Sequence, residues 1–438
     1  MTASHADGRS LSLVDTEKTT VIETIDTLIV GGGQAGLATS YHLKQLGCEH
    51  LVLEQSDQAG SAWRDGRWDS FTLVTPNWAF GLPGAEYAGD QPDGFLGRAE
   101  VVDILAGYAE RFDLPLRTRT RVTAVEPGPH GSFLVRTQET TYRARNVVVA
   151  TGLFQSPKTP PFANALPAGI AQLHSSQYRN PNQLPDGGVL VVGSSQSGCQ
   201  IAQEIHHSGR PAFLSVGSAG RIPRRYRGKD IMAWAALLGL WDRQVETLQT
   251  PQAKFCANPH VAGKTDGGSI NLHQFARAGI QLLGRLRDVR HGKAVLAPDL
   301  HENLAKADQF EVAMLKGIDA YIDKAGLDLP IEQVPQLQDG YGLDLIQDLD
   351  LEARGIRCII WATGYAFDFR MVRFAILDDD GYPIQKRGVT EQPGLYFIGL
   401  PWLHKQKSGL LSGVAEDALH VARHIGARRL EASSRHAE

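Results

Sequence analysis

The chain contains the same short pattern twice: an apolar run, a glycine-rich segment, a helical stretch and a second apolar run. The first copy covers residues 27–54, with its glycine segment at 31–36. The second copy covers residues 188–216, with its glycine segment at 193–198. Strand, glycine turn, helix and strand in this order form a βαβ unit that binds a nucleotide at the turn. Two such units, about 160 residues apart, predict an α/β protein with two dinucleotide-binding (Rossmann-like) domains.

The first glycine segment, Gly31-Gly-Gly-Gln-Ala-Gly36, has the spacing G-x-G-x-x-G. In this motif one glycine permits a tight turn, one lets the backbone approach a pyrophosphate, and one lets the helix pack on the strand. The amides at the start of the helix then face the phosphate charge. Glu54 ends the second apolar run, where a carboxylate can bind ribose hydroxyls. We therefore predict that this unit binds a nucleotide with a free 2′-hydroxyl, such as FAD.

The second glycine segment, residues 193–198, departs from the motif because Ser195 stands at the position of the middle glycine. Three arginines, Arg221, Arg224 and Arg225, follow its second apolar run. A guanidinium group can pair bidentately with a 2′-phosphate, which favours NADPH over NADH at this unit. The alternative is a solvated basic loop with no ligand.

Two further apolar runs end in Ala-Thr-Gly, at residues 150–152 and 362–364, one before and one after the second unit. Proline-rich segments at 156–167 and 181–185 indicate connectors between domains. The simplest arrangement inserts the NADPH-binding domain into the FAD-binding domain. The predicted division is a flexible leader at 1–25, an FAD-binding domain at 26–160 and 345–438, and an NADPH-binding domain at 186–344 with an insertion or lid at about 227–309.

Composition narrows the class of protein. Lys and Arg number 44 against 48 Asp and Glu, and this formal net charge of -4 is too balanced for binding nucleic acid or a membrane surface. The 4 cysteines form no C-x-x-C pair, which disfavours a disulfide framework, a zinc site and a redox cysteine pair. No apolar run reaches the length of a membrane span. We expect no bound metal and a cytoplasmic location.

The order of these motifs resembles that of the flavin-containing monooxygenase superfamily, above all the bacterial flavin-containing monooxygenases and the indole-pyruvate monooxygenases of plants. The segments that carry the resemblance are 31–36, Trp63-Arg64, 150–152, 193–198, 362–365 and 409–418. The resemblance implies that the chain binds FAD and NADPH, and it implies which residues contact them. Those expected at FAD are Gly31, Gly33, Gln34, Ala35, Gly36, Glu54, Gln55, Trp63, Arg64, Thr75, Val122, Ala150, Thr151, Gly152, Gly399, Gly409, Leu410 and Leu411. Those expected at NADPH or between the cofactors are Gly193, Ser194, Ser195, Gln196, Ser197, Arg221, Arg224, Arg225, Thr363 and Gly364.

The resemblance also implies three candidate catalytic residues, Asn77, Trp63 and His174. Asn77 ends a segment, 71–77, that is similar to the family segment beside the flavin C4a atom; alternatively it completes a turn after proline. His174 belongs to residues 174–178, which fit the second half of the family's identifying sequence F-x-G-x-x-x-H-x-x-x-Y. This histidine either positions the two domains or transfers a proton. Trp63 either lines an apolar pocket or is an ordinary core aromatic.

The activity that the resemblance implies is a monooxygenase that moves one oxygen atom from a C4a-hydroperoxyflavin to the nitrogen or sulfur of a small organic substrate. Ala168 and Ile170 stand where the identifying sequence has Phe and Gly, so the substrate class stays open. One alternative is Baeyer–Villiger or oxidative-decarboxylation chemistry on a carbonyl or 2-oxo acid. Another is an NADPH-dependent flavin reductase that passes electrons to a different acceptor. The expected partners are a small-molecule substrate, dioxygen and a second copy of the chain in a homodimer.

Overall fold

The computed structural model describes residues 22–263 and 268–434. The strands in the first part of the chain are β1 (Ile22–Val30), β2 (His50–Leu53), β3 (Gly81–Leu82), β4 (Ala85–Glu86), β5 (Leu116–Arg117), β6 (Val122–Pro127), β7 (Phe133–Thr137) and β8 (Thr141–Val149). The middle part contains β9 (Ser156–Pro157), β10 (Ala171–His174), β11 (Gly188–Val192), β12 (Ala212–Ser215), β13 (Arg225–Tyr226), β14 (Lys229–Asp230), β15 (Gln281–Leu283), β16 (Leu286–Arg290), β17 (Lys293–Leu296), β18 (Asp348–Asp350) and β19 (Ile356–Trp361). The last strands are β20 (Tyr365–Ala366), β21 (Gln385–Lys386), β22 (Val389–Thr390) and β23 (Leu395–Phe397).

The α-helices connect these strands. They are α1 (Gln34–Gln45), α2 (Ser61–Asp65), α3 (Arg98–Arg111), α4 (Gln196–His207), α5 (Ile231–Leu237), α6 (Leu272–Ala278), α7 (Leu300–Ala325) and α8 (Val414–Ser434). Helices α1 and α8 pack against each other beside the first sheet. No helix among the described residues is long and apolar enough to cross a membrane.

The first sheet has a parallel centre with the strand order β5-β2-β1-β8-β23, and the β6–β7 hairpin extends from β8. Its central strands are continuous apolar runs because helices cover both faces of a parallel sheet. Leu28 and Ile29 of β1 are fully buried, as are Val147 and Val148 of β8. These residues form the largest core of the chain, which also includes Phe397.

The second sheet repeats this arrangement with the strand order β15-β12-β11-β19-β10, in which all neighbours are parallel. In both sheets the central strand, β1 or β11, precedes a glycine segment. The strand on one side of it follows the next helix, and the strand on the other side precedes an Ala-Thr-Gly segment. The prediction of two Rossmann-like units of one design is confirmed.

The division between the units differs from the predicted one. β10 and β19 belong to the second sheet, so residues 171–185 and 345–361 lie with the NADPH-binding unit rather than in the connector or the FAD-binding unit. β19 joins β11 because its apolar run supplies the parallel neighbour that β8 supplies in the first sheet. The prediction of an inserted domain stands, with boundaries near 153–170 and 362–370, where β9 and β20 pair antiparallel.

Two other predicted segments are corrected. Residues 22–25 of the expected leader lie in β1 and pair with residues 141–144 of β8, whereas residues 1–21 lie outside the described residues. Part of the expected insertion belongs to the second unit, because α6 leads into β15, which pairs with β12. The insert that the structure shows begins earlier than predicted, after β12, and comprises residues 217–263 and 268–271.

Candidate functional site

The first glycine segment turns sharply at the end of β1. Gly31 has φ +114°, and a β-carbon there would lie 2.6 Å from the carbonyl oxygen of Ala150. A β-carbon on Gly36 would lie 1.9 Å from the carbonyl oxygen of Gly31, so this glycine lets α1 pack onto the turn. Gly33 differs, because a β-carbon there would meet no atom within 4 Å. The open side of the turn is therefore at Gly33, where a ligand could approach the backbone.

Helix α1 begins at this open side with unused amide donors. Its N-cap is Gly33, no side chain caps it, and its first turn holds no acidic residue. The amides of a helix N-terminus carry partial positive charge and need an acceptor. A pyrophosphate supplies that acceptor, so the turn fits the phosphate groups of FAD.

Glu54 lies where the sequence predicts a ribose-binding carboxylate. Its side chain is 7% exposed, and its Oε2 atom accepts a hydrogen bond of 2.7 Å from the Gly32 amide. Its Oε1 atom accepts from the Ser56 amide at 2.9 Å and from the Ser61 hydroxyl at 3.3 Å. These bonds fix the carboxylate at the end of β2, beside the glycine turn.

The second glycine segment has nearly the same geometry. Gly193 has φ +107°, and its β-carbon would lie 2.6 Å from the carbonyl oxygen of Ala362. A β-carbon on Gly198 would lie 1.8 Å from the carbonyl oxygen of Gly193. Ser195, the N-cap of α4, has φ -77°, an ordinary backbone conformation, which explains why serine is tolerated at the middle glycine position. No side chain caps α4, so this helix also begins with amides suited to a phosphate.

The two units differ where the adenosine ribose would lie. The position that Glu54 occupies after β2 corresponds to Val216 after β12, which is fully buried. The Gly217 amide that follows donates instead to the Ser194 hydroxyl at 2.9 Å. At this position the second unit therefore lacks the carboxylate that would repel a 2′-phosphate.

The arginines expected at that phosphate are mostly engaged elsewhere. Arg221 is 1% exposed and forms ion pairs with Asp308 and with Glu311, the latter at 2.7 Å. Arg224 is also 1% exposed; it pairs with Asp230 and donates to the carbonyl oxygens of Val74 (2.8 Å) and Ala262 (2.9 Å). Because these guanidinium groups are buried and already paired, the structure does not support binding of a 2′-phosphate by Arg221 or Arg224. Arg225 is exposed and stays a prediction for that role.

Two of the candidate catalytic residues are buried and form hydrogen bonds with neighbouring segments. Asn77 is buried, donates to the Gln91 carbonyl at 2.9 Å and accepts from the Leu96 amide at 2.8 Å. Both ends of its amide thus hold the loop 77–96. His174 is buried, and its Nδ1 and Nε2 atoms lie 3.0 Å from the Ser176 hydroxyl and 3.1 Å from the Gly364 carbonyl oxygen. Burial lowers the pKa of His174.

The last loop of the chain lies against the first glycine turn. Gln34 Nε2 donates to the Gly409 carbonyl at 3.0 Å. Gly399 has φ +77°, and a β-carbon there would lie 2.6 Å from the Ala35 β-carbon. Leu410 and Leu411 follow Gly409 and precede α8. The structure therefore brings together the predicted residues from both ends of the FAD-binding unit.

The other predicted cofactor residues lie around these turns. The Gln155 Nε2 atom donates to the Thr151 hydroxyl at 2.7 Å and also to the Gly152 carbonyl. Thr363 joins the two connectors by donating to the Lys158 carbonyl. Arg64 forms ion pairs with Asp57 and Asp65. Gln55 is exposed beside Glu54, whereas Thr75 is half-buried. Val122 is buried at the start of β6, and Ser197 lies in the first turn of α4.

A group of aromatic side chains with one arginine lies where the two units meet, and sequence reasoning missed most of it. We call this group the junction; it comprises Trp63, Arg67, Phe71, Phe154, His174 and Tyr365. Tyr365 comes directly after the second Ala-Thr-Gly segment, and Phe154 lies two residues after the end of the first. Their spacing from these segments was the available sequence signal.

The insert contacts both units at residues 260–263. The Gln196 side chain exchanges two hydrogen bonds with the Val261 backbone, at 2.8 and 2.9 Å. The Gly263 carbonyl accepts from the Thr72 hydroxyl at 2.9 Å. His260 is fully buried beside Arg221, and burial followed by the charge of Arg221 lowers its pKa to about 4. Its imidazole is therefore neutral at pH 7.

Comparison with known proteins agrees with this geometry. The family model described as pyridine nucleotide-disulphide oxidoreductase matches residues 28–221. An uncharacterized CzcO-like oxidoreductase of Geobacillus kaustophilus is 33% identical over 92% of this chain and 98% of its own length. The chain belongs to the flavin-containing monooxygenase superfamily. Among other superfamily relatives, the indole-3-pyruvate monooxygenase YUCCA4 of Oryza sativa subsp. japonica is 26% identical over 92% of this chain and 88% of its length.

The solved structures show the same fold. A flavin-containing monooxygenase from Stenotrophomonas maltophilia superposes with a TM-score of 0.63 at 20% identity, over 93% of this chain and 99% of that one. As a member of the superfamily, the chain is a flavin-dependent oxidoreductase that uses FAD and NADPH. The uncapped helices α1 and α4, each of which follows a glycine turn, fit the phosphates of these two cofactors.

Alanine substitutions at two glycines should separate folding from FAD binding. We expect Gly36→Ala to destabilise the protein, because its β-carbon would overlap the Gly31 carbonyl. We expect Gly33→Ala to keep the melting temperature of the apoprotein within about 2 °C but to bind FAD more weakly, because its methyl group narrows the open side of the turn. Melting curves and the flavin-to-protein ratio check both; a Gly33→Ala protein with full FAD content would contradict this assignment.

A second set of variants tests the arginines. Arg225→Gln should raise the KM for NADPH about tenfold while changing the KM for NADH less than twofold, as expected for loss of one charge-assisted bond. Arg221→Gln should instead lower stability by about 3 kcal/mol, because two buried carboxylates lose their partner, with the NADPH-to-NADH ratio unchanged. Equal effects of Arg225→Gln on both nucleotides would remove Arg225 from the 2′-phosphate site.

Proposed function

We propose that the protein transfers one oxygen atom from dioxygen to the nitrogen or sulfur of a small organic substrate and consumes NADPH. The single observation that supports oxygen as the electron acceptor is the state of the thiols. Cys48, Cys199 and Cys358 are buried, and Cys256 is exposed in the insert. Burial raises the pKa of Cys358 to about 11 and raises that of Cys199 as well, so neither is a ready nucleophile. Among the described residues all four cysteines are free, so no disulfide is present there to take electrons from the flavin.

When bound and reduced, FAD supplies the chemistry that activates dioxygen. The protein contributes binding and orientation through the two glycine turns, and it shields the reaction from water. The insert supports this shielding. Trp241 of the insert stacks on Trp78 with ring centroids 5.8 Å apart. The insert backbone also accepts from the Gln406 amide and donates to the His404 carbonyl, at 3.0 and 2.8 Å, so it covers the loop before α8.

The preference for a nitrogen or sulfur substrate rests on the Tyr178 that ends the identifying sequence. This tyrosine is fully buried, and its hydroxyl donates to Glu204 at 3.0 Å. In the superfamily, a tyrosine at that position resembles the pattern of the heteroatom-oxidising branch. The named activity of the rice relative at 26% identity favours a second candidate, oxygenation of a 2-oxo acid. In that reaction the oxygen enters next to the carbonyl and carbon dioxide leaves.

Labelled dioxygen distinguishes these functions. We would incubate the holoenzyme with NADPH and ¹⁸O₂ in the presence of N,N-dimethylaniline, methyl phenyl sulfide, cyclohexanone or phenylpyruvate, and analyse the products by mass spectrometry. We expect one ¹⁸O atom in the N-oxide or sulfoxide, with NADPH oxidised in proportion. Label only in the lactone or in the decarboxylated acid would establish the second candidate. NADPH oxidation without any labelled organic product would favour a flavin reductase, and the Gly33→Ala protein, expected to bind FAD more weakly, is the control.

A further inference from the structure

Arg67 lies at the junction without an acidic partner. Its Cζ atom lies 4.3 Å from the ring centroid of Phe154, 5.2 Å from that of Trp63 and 5.4 Å from that of Phe71. The polar groups that it contacts are the Gly66 carbonyl, at 2.9 Å, and the hydroxyl of Tyr365. Among the residues that the structure describes, no carboxylate lies within ion-pair distance of Arg67.

Two neighbouring arginines do have acidic partners, so the lack of a partner is specific to the position of Arg67. Arg64 forms ion pairs with Asp57 at 2.9 Å and with Asp65 at 2.7 Å. Arg98 forms an ion pair with Asp69 at 3.0 Å. These pairs lie at the surface, where water already solvates the charge. Of Arg64, Arg67 and Arg98, the one that points in among the aromatic rings is the one that lacks a counter-ion.

A guanidinium in this setting is incompletely compensated. Burial lowers the pKa of Arg67, which shows that its surroundings disfavour the charge. Contacts with aromatic faces stabilise a cation less than an anion does in the same low-dielectric position. The planar fork of the guanidinium also leaves donors that match a carboxylate or a phosphate.

The position of the junction indicates where such an anion would come from. Phe154 and Tyr365 follow the Ala-Thr-Gly segments of the two units, and His174 holds the Gly364 carbonyl. These segments follow β8 and β19, so the junction lies outside the carboxyl ends of both parallel sheets. Ligands of such sheets bind at those ends. An anion at Arg67 would therefore belong to a ligand shared between the two cofactor sites.

We propose that Arg67 binds an oxyanion at the junction, with the rings of Trp63 and Phe154 beside it. The oxyanion is either a phosphate of the nicotinamide nucleotide or the carboxylate of the substrate. The proposal concerns the site of the proposed oxygenation and so rests on it. Its test measures equilibrium binding to the oxidised holoenzyme, and the result does not depend on which product the enzyme makes.

The test compares Arg67→Gln and Arg67→Lys with Arg136→Gln, which removes a charge from an exposed ion pair on β7. Flavin absorbance reports titrations with NADP⁺, with phenylacetate and with its neutral analogue phenylacetamide. If the anion is a nucleotide phosphate, Arg67→Gln weakens NADP⁺ binding at least about tenfold. If it is a substrate carboxylate, the parent protein prefers phenylacetate to phenylacetamide, and Arg67→Gln removes that preference while NADP⁺ binding is unchanged.

Arg67→Lys keeps the positive charge but not the planar fork of donors. Its loss of binding affinity should therefore be smaller than that of Arg67→Gln. The Arg67→Lys variant is used for the test if Arg67→Gln does not fold or does not retain FAD. In that case a threefold or larger loss, at an unchanged melting temperature, supports the proposal. Unchanged NADP⁺ affinity together with no carboxylate preference in the parent protein would overturn it. A loss of the same size in Arg136→Gln would also overturn it, since the effect would then be one of overall charge.

Discussion

The structure depends on a close backbone contact that is made twice. In each unit the helix after the central strand starts so near the preceding turn that the last glycine of the motif, Gly36 or Gly198, has no room for a side chain. The first glycine, Gly31 or Gly193, closes against the Ala-Thr-Gly segment on the neighbouring strand. These contacts place the uncapped ends of α1 and α4 at the edge that fits the cofactor phosphates.

The shared backbone leaves specificity to a few side chains. Glu54 presents a fixed carboxylate beside the first turn, and Val216 stands at the equivalent place in the second unit. That difference suits a ribose hydroxyl at one site and a phosphorylated ribose at the other. The aromatic junction then lies between the two sites, and the insert joins them by holding Gln196 on one side and Thr72 on the other.

Features encoded within a short stretch of sequence could be predicted, and those decided by distant partners could not. The strand, the glycine turn and Glu54 follow one another in the chain, so local pattern and spacing identify them. β19 resembles β8 in sequence, but only pairing with β11, more than 160 residues away, assigns it to the second sheet. The spacing of Arg221 and Arg224 suggested a phosphate site, yet the carboxylates on α7 and at Asp230 that neutralise them are not visible in that spacing.

The central claim is that two separate nucleotide sites of one design face a common junction. Hydrogen exchange of the FAD-bound protein with and without NADP⁺, followed by mass spectrometry, tests it most directly. NADP⁺ should slow exchange in residues 193–198 and 362–364, because both segments border the second site, and it should leave 31–36 unchanged. Protection of 31–36 by NADP⁺, or the absence of protection at 193–198, would contradict the account.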